Sequence, residues 1–585
     1  MGDLLHLEWA QNADAPGSLL ALIKSAETAD YRSIAAGAGF WTGVSGPRPP
    51  KRRRLADGRL TVFGDLFETS GTSGAGPWTT GDDVDLFRAL TRRFWGRYVA
   101  FAHGGDGRVR SVFRDPSGAM ELLSWTSRMG VRIQSSALPD WLVQQAPPQA
   151  RLNWDRITGM LAHPTTIMGD GAFDGLTMVV PGEMAETGSG ARTVIWRPAE
   201  FVGASCRDPG LAREALRTRM DEVLRAWSHV LERPGVELSG GLDSAIVAGS
   251  AVSAGLKSRL WLNMFGPGHE ADERPYARAI ADRLDVELSA VERGRYSLAQ
   301  VILAETSGGP RPGLNGRDYA FDIDVSRQCH AAGLDSLLTG KGGDALFFQM
   351  GVPEIFVDLW RDRGPAAAFS PNLPDLARWT RRSVWSLLVQ ALRHPRSGGP
   401  ARRPPAASFL TKDRLAAGDP AKDHPWMRGL DGIGPAKRLQ VEAVTAALAF
   451  NSEGRRRHAV DLIHPILSQP VVEWCLGLPI DLLTAGGRDR ALARDAFVDR
   501  LPTEIRNRSS KGDLTAFLGR QIVADLPFLR DHLLDGRLVQ QGVIDRTRLE
   551  AALDRDRIQW QGGFAELSLA AVIESWVRHW EARLV

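Results

Sequence analysis

Disulfide scaffolding is missing from this sequence. Its 585 residues hold three cysteines, Cys206, Cys329 and Cys475, widely spaced and odd in number. Neither a disulfide framework nor a clustered zinc site follows from them, and ordinary thiols in a reducing compartment are expected. Long apolar runs are missing as well, since no stretch approaches the roughly 18 residues of a membrane helix. The opening Met-Gly-Asp-Leu-Leu-His has no basic segment followed by an apolar core, so no signal peptide is expected. His6 stands where a myristoylation signal requires Ser or Thr. The expected location is the cytoplasm. A surplus of charge is also absent: 72 Lys and Arg against 69 Asp and Glu leave +3. Neither nucleic acid nor membrane is expected as a partner on that balance. Lys51-Arg52-Arg53-Arg54 is the local exception and reads as a short basic turn between strands. Internal repeats are not found.

What is present is the composition of a globular protein, long enough for two or more domains. Residues 1–205 read as an α+β domain. Short apolar runs such as Leu60–Gly64 and Arg97–Phe101 are broken by Gly, Pro and Asp, as in strands and hairpins. Helices are expected near Ser18–Ala29 and Asp83–Trp95, with a mobile loop over 70–82. Near residue 208 the texture changes. Leu216, Met220, Val223, Leu224, Trp227, Val230 and Leu231 recur at helical spacing, and Pro234-Gly235 is expected to end that helix. From there strand-like runs (236–238, 259–265, 286–291, 336–338) alternate with helix-like ones, the signature of a parallel sheet covered on both faces. Residues 206–585 are expected to form this α/β domain, mostly helical after residue 436. Two excursions interrupt it: a flexible loop at 307–316 and a basic, Pro-rich stretch at 393–405.

The chemistry concentrates in three motifs. Ser239-Gly240-Gly241-Leu242-Asp243-Ser244 lies between a strand and a helix. In a parallel sheet that is the carboxyl end of a strand, where ligands bind. Two glycines let backbone approach an anion, and the helix N-terminus offers free N–H groups. Asp243 cannot meet phosphate directly, so its natural task is to hold Mg²⁺. The Gly-Lys-Ser/Thr of a Walker A loop does not follow, so no γ-phosphate cradle is implied. Gly340-Lys341-Gly342-Gly343-Asp344 delivers a second aspartate from a second strand end, and the two aspartates could share a metal. Pro502 to Gly512 carries Arg506, Arg508 and Lys511. These form either a solvated helix face or a device that brings an ammonium to developing negative charge.

Taken together, S-G-G-x-D-S, G-x-G-x-D and P-x-x-I-x-x-R-x-x-K resemble the asparagine-synthetase superfamily. Asp272-Glu273, His464-Pro465, Val471-Val472-Glu473, Arg490 and Arg494 fit the same pattern. In the first half, Gly96–Val99 and Arg114–Gly118 resemble its glutaminase-type domain. The resemblance implies an N-terminal glutaminase-like domain, an Ntn-type β-sandwich with helices. It also implies a C-terminal PP-loop ATP pyrophosphatase domain, adenine nucleotide alpha hydrolase-like, with a helical extension. It implies ATP and Mg²⁺, nucleotide contacts at Leu238, Ser239, Gly240, Gly241, Asp243, Ser244 and Gly340, and metal held by Asp243 and Asp344. Lys511 would stabilise the oxyanion or leaving AMP. Glu453 is either a base or a helix-surface carboxylate beside Arg455–Arg457.

Two departures select a branch. Glutamine-hydrolysing relatives carry Cys at position 2, and here it is Gly2, which offers no nucleophile. The amine should then come from the substrate itself, as in β-lactam synthetases and lasso-peptide cyclases. Three residues before the second aspartate stands Lys341, where β-lactam synthetases have Tyr and asparagine synthetases have Glu. The basic insertion, Asp423–Trp426 and Pro435–Arg438 look most like lasso-peptide cyclases. That resemblance implies a precursor peptide as substrate, whose Asp or Glu side chain is adenylated and joined to its N-terminal amine. It also implies a leader-binding protein and a leader peptidase as partners. The alternatives are a β-lactam synthetase-like enzyme, an ammonia-dependent asparagine synthetase, or an inactive peptide-binding scaffold.

Overall fold

A computed structural model describes residues 2–9, 16–71, 78, 81–163, 167–203, 206–266, 268, 272–394, 407–416, 424–508 and 515–584. Lys511, Asp423, most of the 70–82 loop and most of the 393–405 insertion lie outside them.

The first half contains two six-stranded antiparallel sheets. Spatially, one runs 177–178, 123–126, 131–135, 4–9, 40–44, 32–37, and the other 192–194, 183–186, 109–114, 94–103, 60–68, 52–55. Strand alternation assigns their faces. Val99 and Phe101 join Leu4, Val44, Phe63 and Val112 in a core between the sheets. Tyr98, Ala100 and Ala102 point the other way, with Leu60 and Val62, onto Leu86, Phe87 and Leu90 of the helix Asp83–Arg93. The helix Pro16–Thr28 packs on the first sheet's far side. The result is four layers, helix–sheet–sheet–helix. Lys51–Arg54, expected as a basic turn, instead falls mostly in an edge strand, Arg52–Leu55, paired with Leu60–Phe63. Its charges suit an edge, because they discourage further pairing.

The second half is built on five parallel strands: β1 (Pro234–Glu237), β2 (Leu260–Phe265), β3 (Leu288–Glu292), β4 (Ser336–Leu338) and β5 (Asp461–Ile463). Their spatial order is β3-β2-β1-β4-β5. Helices α1 (Leu242–Ser253), α2 (Arg274–Leu284), α3 (Tyr319–Ala331) and α4 (Gly343–Leu346) connect or follow the strands. Pro234 does not end the preceding helix, which stops at Ser228, but opens β1, a strand position where its missing N–H costs nothing. Leu262, Leu337 and Leu462 face α3 through Val325 and Cys329. The chain order reverses between β1 and β4, which makes their carboxyl ends the switch point where ligands bind in such sheets.

The segment 307–316 is not a flexible loop. Ser307, Arg311 and Asn315 are buried. Arg311 donates to Glu121 Oε1 (2.9 Å) and to the carbonyls of Ile167 and Gly169 (2.6 and 2.7 Å). The indoles of Trp576 and Trp580 both donate to the Gly309 carbonyl. Its glycines serve close packing: a Cβ at Gly313 would lie 2.3 Å from the Thr306 carbonyl oxygen. Among the described residues, no helix is long and apolar enough to cross a membrane. Cys206, Cys329 and Cys475 are free, and burial pushes the last two up to about 12.

Candidate nucleotide and acyl-transfer site

The Ser239–Ser244 loop leaves β1 and enters α1. Its hydroxyls fold it on itself: Ser239 N–H donates to Ser244 Oγ (3.2 Å), and the Ser244 hydroxyl donates to the Gly241 carbonyl (3.0 Å). Leu238, fully buried, anchors the strand end, and its carbonyl accepts from Asn263 Nδ2 (2.6 Å). Gly240 has φ +82°, and a Cβ there would lie 2.8 Å from the Glu273 carbonyl. The first turn of α1 carries no side-chain cap, and its residues Leu242, Asp243 and Ser244 line the cleft at the positive end of the helix dipole.

The second glycine loop touches the first. A Cβ at Gly340 would sit 2.4 Å from Ser244 N, and one at Gly343 would sit 2.3 Å from Asp243 Cγ. Glycine is thus required where two backbones meet, and this contact brings Asp243 and Asp344 together. Both carboxylates contact one guanidinium: Arg490 Nη1 lies 3.0 Å from Asp243 Oδ2 and also bonds Asp344. Asp489 pairs with Arg490 and Arg494. Burial works against the Arg490 charge, yet Asp243 and Asp344 hold its pKa above the usual value. Arg490 sits at φ +50°, a conformation costly for a residue with a Cβ and common at functional sites. Gly343→Ala should lower ATP–pyrophosphate exchange by about a hundredfold, with circular dichroism unchanged, because the new methyl displaces Asp243.

The donor set fits Mg²⁺. Two carboxylates converge at strand ends on a point already taken by a cation. Among the described residues there is no group of three or more metal-type side chains. Mg²⁺ ordinarily takes one or two protein carboxylates and completes its shell with phosphate oxygens and water.

These loops open on a cleft of about 1040 Å³, large for a small-molecule site. Its walls hold residues that the sequence reading did not assign. Lys341 lies over the Phe450 ring (4.9 Å), and burial, helped by Arg456, pushes its amine down to about 8. Arg317 is lowered by burial alone, and its Nη2 donates to the Ala565 carbonyl (3.2 Å). Arg456 bonds Asp322 (2.7 Å) and Asn315 (3.0 Å). Thr339, beside the loop, bonds His464 Nδ1 (2.8 Å), and burial pushes that imidazole down to about 3, so it is neutral. This accounts for His464-Pro465 as a support of the second glycine loop.

Arg508 is the last described residue before Lys511. Its guanidinium donates to the Gly240 carbonyl (2.9 Å) and Glu273 Oε1 (2.7 Å), and lies 3.8 Å from the centre of the Tyr276 ring. Glu453 is not brought to the cleft. It is partly buried against Gly309, near Arg457 (3.8 Å) and His458 (3.4 Å).

In the first half, Gly2 is buried, and a Cβ would stand 1.9 Å from the Ser45 carbonyl oxygen. Position 2 therefore lacks a nucleophile and also has no room for one. Arg97, at the resemblance motif, instead bridges the halves. It bonds Asp65 (2.7 Å), Asp461 of β5 (2.7 and 2.9 Å) and the Leu462 carbonyl (3.1 Å).

A switch-point cleft with two interlocked glycine loops and converging carboxylates defines a nucleotide-using enzyme domain. Residues 195–578, well over half of the chain, match the asparagine synthase family, and the chain belongs to it. No curated protein matches the chain. Membership makes it an enzyme of the ATP-dependent, amide-forming kind.

Proposed function

We propose that the enzyme adenylates a side-chain carboxylate of a precursor peptide and joins it to that peptide's N-terminal amine, as a lasso-type macrolactam synthetase. The interlocking of the two glycine loops, which sets Asp243 beside Asp344, carries the adenylation half of this reading. The first-turn N–H groups of α1 receive the pyrophosphate as the carboxylate oxygen displaces it from the α-phosphorus. Mg²⁺, when bound, offsets the charge on the phosphate oxygens. Asp243 and Asp344, beside Gly340, would hold that ion, while Arg508, just past the helix Thr503–Asn507 and three positions before Lys511, bonds the first glycine loop. Lys511 is assigned to the charge on the acyl-transfer oxyanion. The layered first half, with no space at Gly2, supports a retired glutaminase of the Ntn type, and hence an amine supplied by the substrate. A precursor peptide, a leader-binding protein and a leader peptidase are the proposed partners.

Incubation with ATP, Mg²⁺ and a leaderless precursor should yield a peptide lighter by one water, plus AMP and pyrophosphate. Lys511→Met should abolish that product while nucleotide still binds. Asparagine made from free aspartate and ammonia would instead assign the enzyme to ammonia-dependent synthesis. Added glutamine should release no ammonia, and Gly2→Cys should restore none and lower stability, because its side chain meets the Ser45 carbonyl. Ammonia release by either protein would refute the retired-glutaminase reading.

A further inference from the structure

Ten large hydrophobic side chains are exposed among the described residues, and four of them, Phe369, Trp385, Val389 and Leu392, lie between residues 369 and 392. Three belong to one helix, Val384–Arg393, at i, i+4 and i+7, and so share a face. Leu387 and Ala391 bury the opposite face. Phe369 ends a short turn that packs on the same supporting helix, Glu354–Arg363. The exposure is high: 77% for Trp385, 68% for Leu392 and 88% for Phe369. Scattered exposed apolar residues need no explanation, but a concentrated stripe does.

Charge is segregated at the same place. Residues 376–394 contain no Asp or Glu, while Arg378, Arg381, Arg382 and Arg393 are exposed. Among the described residues, Arg378 pairs with Asp375 (2.9 Å), and Arg381, Arg382 and Arg393 form no ion pair. The near-neutral charge of the whole chain conceals this local field. The patch also adjoins the cleft: Trp379, ending the helix Leu373–Trp379, lines it. Asp375 of that helix packs on Gly487, two residues before Asp489.

We propose that this face docks the enzyme peripherally on an anionic lipid bilayer, Trp385, Val389 and Leu392 entering the headgroup boundary beside Arg381, Arg382 and Arg393. An amphipathic helix with apolar side chains on one face and flanking cations has the composition of an interfacial helix. Trp is favoured at that depth because its ring is apolar and its N–H polar. A second copy of this chain is a poorer occupant, since two such faces would bring arginine against arginine. The side chains protrude, which suits a deformable bilayer better than a preformed protein groove.

Flotation of the full chain with phosphatidylcholine vesicles, with and without phosphatidylglycerol, tests the proposal. Recovery should require phosphatidylglycerol and fall as salt rises. Trp385→Ser/Leu392→Ser and Arg381→Glu/Arg382→Glu should each cut recovery at least about tenfold, with ATP–pyrophosphate exchange unchanged. Equal recovery on neutral vesicles, or undiminished recovery of both variants, would overturn it. So would a wild-type dimer or protein complex that dissociates in these variants without vesicle binding.

Discussion

Asp243→Asn is expected to lower ATP–pyrophosphate exchange by about a thousandfold or more, the scale on which metal-held charge at a transferring phosphorus acts. The substitution is nearly isosteric, so the loss would be one of charge. Space around the side chain is limited by Gly343. Arg490 keeps Asp344 and Asp489, so no bare cation is left behind. Asp344→Asn should act in the same direction but less strongly, because its side chain is 45% exposed and water can take part of its role. Exchange measured with saturating ATP, together with nucleotide affinity by calorimetry, separates chemistry from binding. Exchange at the wild-type rate in Asp243→Asn would remove this residue from the reaction.

Arg97→Met is expected to destabilise the protein by about 3–5 kcal/mol, the usual cost of removing one partner from a buried ion pair. Arg97 is buried, stacks 4.6 Å from the Trp227 ring, and neutralises Asp65 and Asp461 together with Arg48. Without it, Asp65 and Asp461 lose the buried guanidinium they share, while the partly exposed Arg48 remains. Because Asp461 begins β5, which pairs with β4, the loss should loosen the sheet edge beside the second glycine loop. Thermal unfolding and protease sensitivity at neutral pH measure the effect, and an unchanged melting temperature would make the network dispensable. Replacing both Arg97 and Asp461 by apolar residues should cost less than the two single changes summed. The pH dependence has a definite sign. Burial opposes the Asp461 charge, but Arg97 and Arg48 hold its carboxyl far below the usual range. Its stabilisation is therefore complete above the unfolded carboxylate value near 4 and is lost as pH falls below it.

Local features were legible wherever the signal was local. The strand–glycine–helix texture around Ser239–Ser244 places the loop correctly, because turn chemistry and the α1 N-terminus depend on neighbouring residues. The strand-like run Ser336–Leu338 predicts the strand before the second loop with the bounds it has. Glycine was the ambiguous letter. At 307–316 it suggested flexibility, whereas Gly309 and Gly313 are there to admit neighbouring side chains and carbonyls. Lys51–Arg54 reads as a turn by charge, yet pairing of Arg52–Leu55 with Leu60–Phe63 makes most of it a strand.

The cation that joins the two aspartates was not legible. Arg490 matched a motif in sequence, but its contact with Asp243 and Asp344 spans long chain separations and an unusual backbone angle. Glu453, read among arginines as either a base or a helix-surface carboxylate, is not among the residues that line the cleft. The exposed stripe on Val384–Arg393 has an ordinary apolar content, and only packing shows which face stays uncovered.

By itself, then, the sequence determined the two glycine loops, their strand-end aspartates and the missing nucleophile at Gly2, since each depends on residue type and immediate context. Tertiary structure decided that the loops interlock, that Arg490 joins their carboxylates, and that Arg97 ties the two halves through Asp461. Those outcomes follow from strand order and burial, which place residues hundreds of positions apart within hydrogen-bonding distance.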